Sequence, residues 1–473
     1  MTRDYDAVVV GAGPNGLVAA ITLARAGRRV ALFEAGPTIG GGLRSAELTE
    51  PGYVHDICST VQALGVASPA FADLDLEAHG VEWVHPPLPL AHPLDGGRAA
   101  TLHRGVDETA ATLGVDAAHY RRTFEPLVAH APELVGTFLA PFGIPRAPVS
   151  GARFGLRAIR SAQGLASGRF ETDEARALLV GAAAHAIQPL TAPATAGYGL
   201  FLLLLAHAYG WPVARGGSQS VADALGRVLR SHGGEIVVGH EVTDLAGLPR
   251  APITMLDVTP RQFLRIGGDA VPARYARRLR RYRYGPGVCK VDWALTEPIP
   301  WAHTSARAAG TVHVGGTAEE ITASEAEVHA GRLPDRPYVL VVQPTLMDTT
   351  RAPAGGHVAW AYCHVPNGST ADRTEAVEAH LERFAPGFRD VIRARHTMTA
   401  PAMEHHNANY VGGDINGGAG DLRQLFTRPV VSPHPWATPL DGVYLCSSST
   451  PPGGGVHGMC GLHAARLALQ RAD

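Results

Sequence analysis

The apolar residues fall into distinct patterns along the chain. Ala7-Val8-Val9-Val10 is a short unbroken apolar run, which predicts a strand buried on both faces of a parallel sheet. After Gly11-Ala12-Gly13-Pro14-Asn15-Gly16, the residues Leu17, Ala20, Ile21 and Ala24 give a helix with a small-residue face, stopped at Gly27. A second strand follows over 29–33. Two long stretches, about 70–215 and 265–425, read differently. The first is mostly helical, clearest over 173–187 and 199–209; the second holds strand-like alternation around 288–295, 339–342 and 357–362. These patterns predict an α/β chain.

Composition narrows the class. The chain has 473 residues and a net charge of −2, which excludes an overall basic nucleic-acid binder. Its longest apolar run, 199–206, is far below the roughly 18 residues that span a bilayer. Five cysteines with no C-x-x-C pair suggest neither a disulfide framework nor a thioredoxin-type motif, and Met1 to Asp6 run straight into a strand pattern without a leader. A cytoplasmic protein is expected. The 55 glycines are unevenly spread: residues 1–42 hold eight and residues 412–461 hold eleven.

The first cluster carries chemistry. Strand, G-x-G-x-x-G, helix and second strand end at Glu34, 23 residues after Gly11. That is the dinucleotide fingerprint in its required context. Gly11 permits the tight turn, Gly13 lets backbone N–H groups approach a pyrophosphate, and Gly16 lets helix and strand pack. Pro14 and Asn15 open the helix, whose free N–H groups favour the phosphates. Glu34 can accept hydrogen bonds from a ribose diol and repels a 2′-phosphate.

Beyond Glu34 the chain continues Ala35-Gly36-Pro37-Thr38-Ile39-Gly40-Gly41-Gly42-Leu43-Arg44, then Pro51-Gly52-Tyr53-Val54-His55-Asp56; near the other end it reads Val443-Tyr444-Leu445-Cys446-Ser447-Ser448-Ser449-Thr450-Pro451-Pro452-Gly453-Gly454-Gly455-Val456-His457-Gly458. On these segments, with Gly216-Gly217-Ser218, Gly233-Gly234-Glu235-Ile236 and Val242 between them, the sequence resembles the FAD-dependent phytoene desaturase and amine oxidase superfamily. It looks closest to the phytoene-desaturase-related group that includes pyridine nucleotide-disulphide oxidoreductase domain-containing protein 2. The resemblance implies a Rossmann-like FAD-binding domain built from 1–70, 216–264 and 426–473, and an α+β substrate domain built from 71–215 and 265–425. It implies FAD as cofactor, held by Gly11, Gly13, Pro14, Asn15, Gly16, Glu34, Ala35, Gly41, Gly42, Leu43, Arg44, Val242, Ser447, Ser448, Gly455, Val456 and His457. Two departures stand out. Leu43 is an added spacer in the Gly-Gly-Arg loop, and Ser447-Ser448 stand where relatives carry a carboxylate for the ribityl chain.

The second glycine cluster also contains a G-x-G-x-x-G, Gly453 to Gly458, but only 15 residues follow it. A complete βαβ unit takes about 30, so the cluster is expected to meet the far end of the same ligand, with a helix beginning at Gly455-Val456-His457 near the flavin pyrimidine. Lys290 is the only lysine in the chain. By resemblance it lies where amine oxidases direct a lysine through a water to flavin N5; the competing reading is a Lys290/Asp292 pair on an exposed strand. His457-x-x-Cys460-x-x-His463 has ligand-like types at a spacing that spreads them around a helix, so no metal is expected. The basic run 274–283 reads as a solvated helix face, with peripheral contact to acidic lipid the alternative. The loop 405–418 reads as a turn-rich connection or a lid.

The expected function is an oxidoreductase taking a hydride equivalent from a hydrophobic, isoprenoid- or polyene-like small molecule to flavin N5, with Lys290 and His457 as candidate catalytic residues and oxygen or quinone as acceptor. Two alternatives stand beside it, a redox-neutral polyene isomerase or saturase and a flavin-stabilised regulatory protein. The sequence is silent on oligomeric state.

Overall fold

A strand buried on both faces needs a neighbour on each edge, and Ala7–Val10 (β1) has two. In a computed structural model, which describes residues 5–141 and 147–472, β1 pairs in parallel with Val30–Phe33 (β2) on one side and Ile253–Leu256 on the other. Glu235–Val237 joins the outer edge of β2, and Val443–Leu445 joins Ile253–Leu256. The five-stranded parallel sheet therefore draws its strands from three distant parts of the chain. Side-chain alternation divides β1 between two cores: Ala7 and Val9 face one hydrophobic cluster, Val8 and Val10 the other. Both faces are apolar because both are covered.

Between β1 and β2 runs the helix Pro14–Arg25 (α1), with Pro14 at its first position, where a missing N–H costs nothing. Gly27, at φ +77°, turns the chain back toward β2. The helices Gln219–Ser231 and Met459–Ala472 lie beside α1 and share its cluster. The stretch 29–33 begins its strand at Val30, and Met1 to Asp4 lie outside the described residues.

The second sheet has seven strands, in the order Ile392–Met398, Gly287–Leu295, His357–Val365, Val339–Val342, Ala309–Val314, Leu88–Leu94 and Arg98–Leu102. All three runs expected as strands are strands. Of the two expected helices, 173–187 is helical over Asp173–Ala183 and finishes in a 3-10 turn, because Ile187 adopts a left-handed φ of +49°. The other begins earlier, at Thr195, and buries Leu200, Leu203, Leu204 and Leu205. In the basic run, Ala273–Leu279 is a short helix that buries Ala276 and Leu279 and exposes its arginines.

The interior holds many imidazoles. Burial pushes His55, His92, His207, His380 and His457 down to about 4. A base held neutral in the folded chain contributes stability that is present above its unfolded pKa and lost as pH falls toward the folded one. Each of the five is expected to add up to about 1.4 kcal/mol of destabilisation per pH unit between about 6.5 and about 4. Urea denaturation across that range should show a steep loss of stability; a flat profile would mean that these rings are protonated in the fold.

Candidate functional site

The first turn of α1 is shaped by backbone contact. Gly11 holds φ +96°, and a Cβ at Gly16 would run into the Gly11 carbonyl oxygen. From the opposite side, a Cβ at Gly41 would sit 3.0 Å from Gly13 Cα. A narrow glycine-walled cradle results, with Gly11, Gly13, Pro14, Asn15, Gly41 and Gly42 on the wall of one large cavity. Gly16 and Leu43 are not on that wall. Gly16 lies behind it as a packing residue, and Leu43 is fully buried in the core, where the spacer carries its side chain away from the site.

Glu34 ends β2 at the cradle. Its Oε2 accepts the Ala12 N–H at 2.8 Å, and its Oε1 accepts the Gly36 N–H and Arg44 Nη2, each at 2.7 Å. Arg44 also donates Nε to Thr38 O at 3.1 Å. The arginine of the glycine-rich loop thus acts on Glu34, fixing the orientation of its carboxylate. Three donors leave about one of its four lone-pair sites free for a ribose hydroxyl. Ala35 and Val242 continue the same wall.

The C-terminal glycine segment forms the far wall, with Ser447, Ser448, Gly455, Val456 and His457. The Ser447 hydroxyl donates to Val258 O at 2.7 Å, so it ties two strand ends together. The expected helix start at Gly455 is corrected: Gly453, Gly455 and Gly458 hold φ of +121°, +119° and +66°, and the helix begins at Met459. Within this loop His457 Nδ1 accepts the Met459 N–H at 3.0 Å, which leaves Nε2 as the protonated nitrogen, 3.2 Å from Gly453 O. Both ring nitrogens are engaged by backbone, and the ring is neutral.

The cavity measures about 1280 Å³. That exceeds the about 300–1,000 Å³ usual for one small molecule, so it can hold a dinucleotide and a second ligand. Away from the cradle its walls turn apolar, with Phe154, Ile187, Phe201, Leu202, Trp211 and Leu425. Thr311, Leu340, Val342, Trp360 and Tyr362 of the second sheet form its floor. The loop 405–418 also contributes wall residues, Asn407, Asn409 and Tyr410 among them. Residues that were not among the expected site residues complete the site, notably Gly36, Asp257 and Trp360; Asp257 carried a signal in its place after an apolar strand run, the position Glu34 holds after β2.

Lys290 corrects the exposed-strand expectation. It does pair with Asp292, but the strand Gly287–Leu295 is buried over all nine residues, having neighbours on both edges. Its Nζ lies 4.9 Å from the centroid of the Trp360 ring, and the residue is absent from the cavity wall. Asp292 has His55 Nδ1 at 3.6 Å and His396 Nδ1 at 3.7 Å. Lys290 is therefore part of a closed charge cluster under the floor.

A Rossmann-type nucleotide domain is thus joined to a second sheet across one large cavity. Residues 9–74 match the NAD(P)-binding Rossmann-like domain family. Pyridine nucleotide-disulfide oxidoreductase domain-containing protein 2 of Rattus norvegicus is 26% identical, covering 99% of this chain and 94% of its own. A phytoene desaturase (neurosporene-forming) of Rhodobacter capsulatus is 25% identical over 54% of this chain and 52% of its own. The fold is shared with a putrescine oxidase, at 18% identity and a TM-score of 0.62 over 99% of both chains. The chain thus shares its fold with an amine oxidase and is similar along its length to a protein named as an oxidoreductase. Among the described residues, no helix is long and apolar enough to cross a membrane.

The Lys290 cluster yields a thermodynamic test. Lys290→Met leaves Asp292 buried beside two imidazoles only and is expected to cost about 3–5 kcal/mol. Replacing both partners, Lys290→Met with Asp292→Leu, should recover most of that loss. Urea denaturation of wild type, each single variant and the double variant measures it; two single losses that simply add would show that the pair is not coupled.

Proposed function

We propose that this chain is an FAD-dependent oxidoreductase that removes a hydride equivalent from a hydrophobic small molecule, an isoprenoid or polyene type fitting best, and passes the electrons to oxygen or a quinone. The observation that carries the reading is one continuous cavity whose glycine cradle and Glu34 lie at one end, whose C-terminal loop lies beyond, and which opens into an apolar chamber over Trp360 and Tyr362. The chain's own residues fit a long dinucleotide. Gly13 and Asn15 present the α1 N-terminus to the pyrophosphate, Glu34 takes the adenosine ribose, and the loop Gly453 to Gly458 borders the flavin end. FAD, when bound, supplies the hydride-accepting flavin N5.

The protein's contribution is positioning and exclusion of water. A hydrocarbon chain offers few polar handles, so an apolar wall that fixes the reacting carbon supplies most of the rate. His457 shapes the C-terminal loop through its two backbone bonds and stays neutral, so it stabilises geometry and does not carry charge. Lys290 stays paired with Asp292 beneath Trp360 and supports the floor without touching the ligand.

Purified protein is expected to be yellow and to release FAD in one-to-one ratio on denaturation; a colourless protein whose melting temperature is unmoved by added FAD would refute the reading. Glu34→Ala should weaken FAD by about tenfold or more, the worth of a hydrogen bond to a charged acceptor, while leaving substrate preference unchanged. Mass spectrometry of apolar material that co-purifies would identify the second ligand.

A further inference from the structure

Asp257 follows the strand Ile253–Leu256 and stands on the cavity wall with 8% of its surface exposed. Its main chain is fixed on both sides: its N–H donates to Val10 O at 2.8 Å, and its carbonyl accepts Asn409 Nδ2 at 3.1 Å. The side chain points at the phosphate cradle. Asp257 Oδ2 accepts the Gly16 N–H at 2.9 Å, and a Cβ at Gly13 would lie 2.8 Å from the same oxygen. Gly16 is the third residue of α1, so a carboxyl group already holds one of the free donors to which a pyrophosphate would be drawn.

The surroundings supply no counter-charge. From β2 the group faces Glu34, a second carboxylate, whose own charge is met by Arg44. From the last strand and the last helix it faces Cys446 and Cys460, whose thiols burial keeps protonated. Among the described residues no lysine, arginine or histidine forms an ion pair with Asp257, and burial pushes its carboxyl up to about 7, with Glu34 adding to the shift and the Gly16 N–H opposing it. A pyrophosphate adds at least two negative charges at this helix end. An ionised Asp257 would repel it across a desolvated gap. A protonated one keeps its bond from Gly16 and gains an O–H that can serve an anion in a charge-assisted hydrogen bond.

We propose that Asp257 is a cofactor-binding residue that works as a neutral carboxylic acid, so that dinucleotide binding takes up one proton from solvent. The proposal rests on the FAD reading above. It makes cofactor retention fall as pH rises, and it makes asparagine, which is neutral at every pH, a functional substitute.

The test follows FAD release from the full-length holoprotein by the fluorescence of free FAD between about pH 6 and about pH 9, where linkage of one proton gives about a tenfold rise in Kd per pH unit above about 7. Wild type is expected to show that slope, and Asp257→Asn to bind FAD with a flat profile and exceed wild type at the alkaline end. As a second measurement on wild type alone, the heat of FAD binding near pH 8 in two buffers of different ionisation enthalpy should report close to one proton taken up. A wild-type Kd independent of pH, an asparagine variant that keeps the slope, or no proton uptake overturns the proposal while leaving FAD as the cofactor. Failure of FAD to bind at any pH overturns the cofactor reading, and this proposal with it.

Discussion

The structure depends on backbone lying against backbone where the first turn of α1 meets the chain's last helix. A Cβ at Gly461 would collide with the Asn15 carbonyl oxygen, one at Gly16 with the Gly11 carbonyl, and one at Gly458 would come to 2.5 Å of a Val18 methyl. No side chain can be accommodated at these contacts, so glycine is required for the helices to meet at all. Closing this contact brings residues from opposite ends of the chain to one cavity wall. The dinucleotide cradle is therefore non-local: β1 and α1 provide its shape, but Ile253–Leu256 and Met459–Ala472 hold it in place. Forming it requires long loops to close first.

A second constraint fixes the cavity floor. Arg351, fully buried, sets Nη2 2.9 Å from Asp56 Oδ2 and donates Nε to Val54 O, which joins the short helix Thr349–Arg351 to the strand Val54–Asp56. Asp56 in turn accepts Ser45 Oγ and the Ser218 N–H, so its charge is held below the ordinary carboxylate range mainly by Arg351 against the cost of burial. The Lys290 and Asp292 pair lies under the floor with His55 between the two carboxylates' surroundings. Buried pairs of this kind contribute little net stability, because desolvation offsets most of the attraction. They do penalise any arrangement that separates the partners. The effect is to hold the second sheet in one register against the glycine-rich loops, with Trp360 bonded through its ring N–H to Thr60 at 2.8 Å.

What the sequence revealed follows from these distances along the chain. The unit from Ala7 to Glu34 was legible because its signals are local: an unbroken apolar run, glycines at fixed offsets and a terminal acid. Three of the seven strands of the second sheet were legible by alternation. The role of Arg44 was not, since a spacer residue turns on where Leu43 can be buried, and only the packed core shows that. The exposed-strand reading of Lys290 fails for a related reason. Alternation of polar residues suggests one wet face, but the strand Gly287–Leu295 has partners on both edges and a cavity floor above it, so its polar residues pair with each other. The start of the last helix moved from Gly455 to Met459 because three glycines take positive φ, a property sequence spacing does not encode.

These features converge on how the cavity handles charge. Arg44 near the cradle is bonded to Glu34, Lys290 under the floor to Asp292, and the His457 ring to two backbone groups, so each of these three has a partner from the protein before any ligand arrives. Groups held in this way do not reorganise when a ligand enters. Low reorganisation is what an apolar reacting carbon needs, because solvent or mobile charge near it would contribute nothing to selectivity. Asp257 is the exception, an acid with no cation beside it at the one place where a highly charged ligand group has to enter. A carboxyl there is tolerable only if it carries no charge when that group is present, so the same residue that completes the helix N-terminus also sets the terms on which a pyrophosphate can share it.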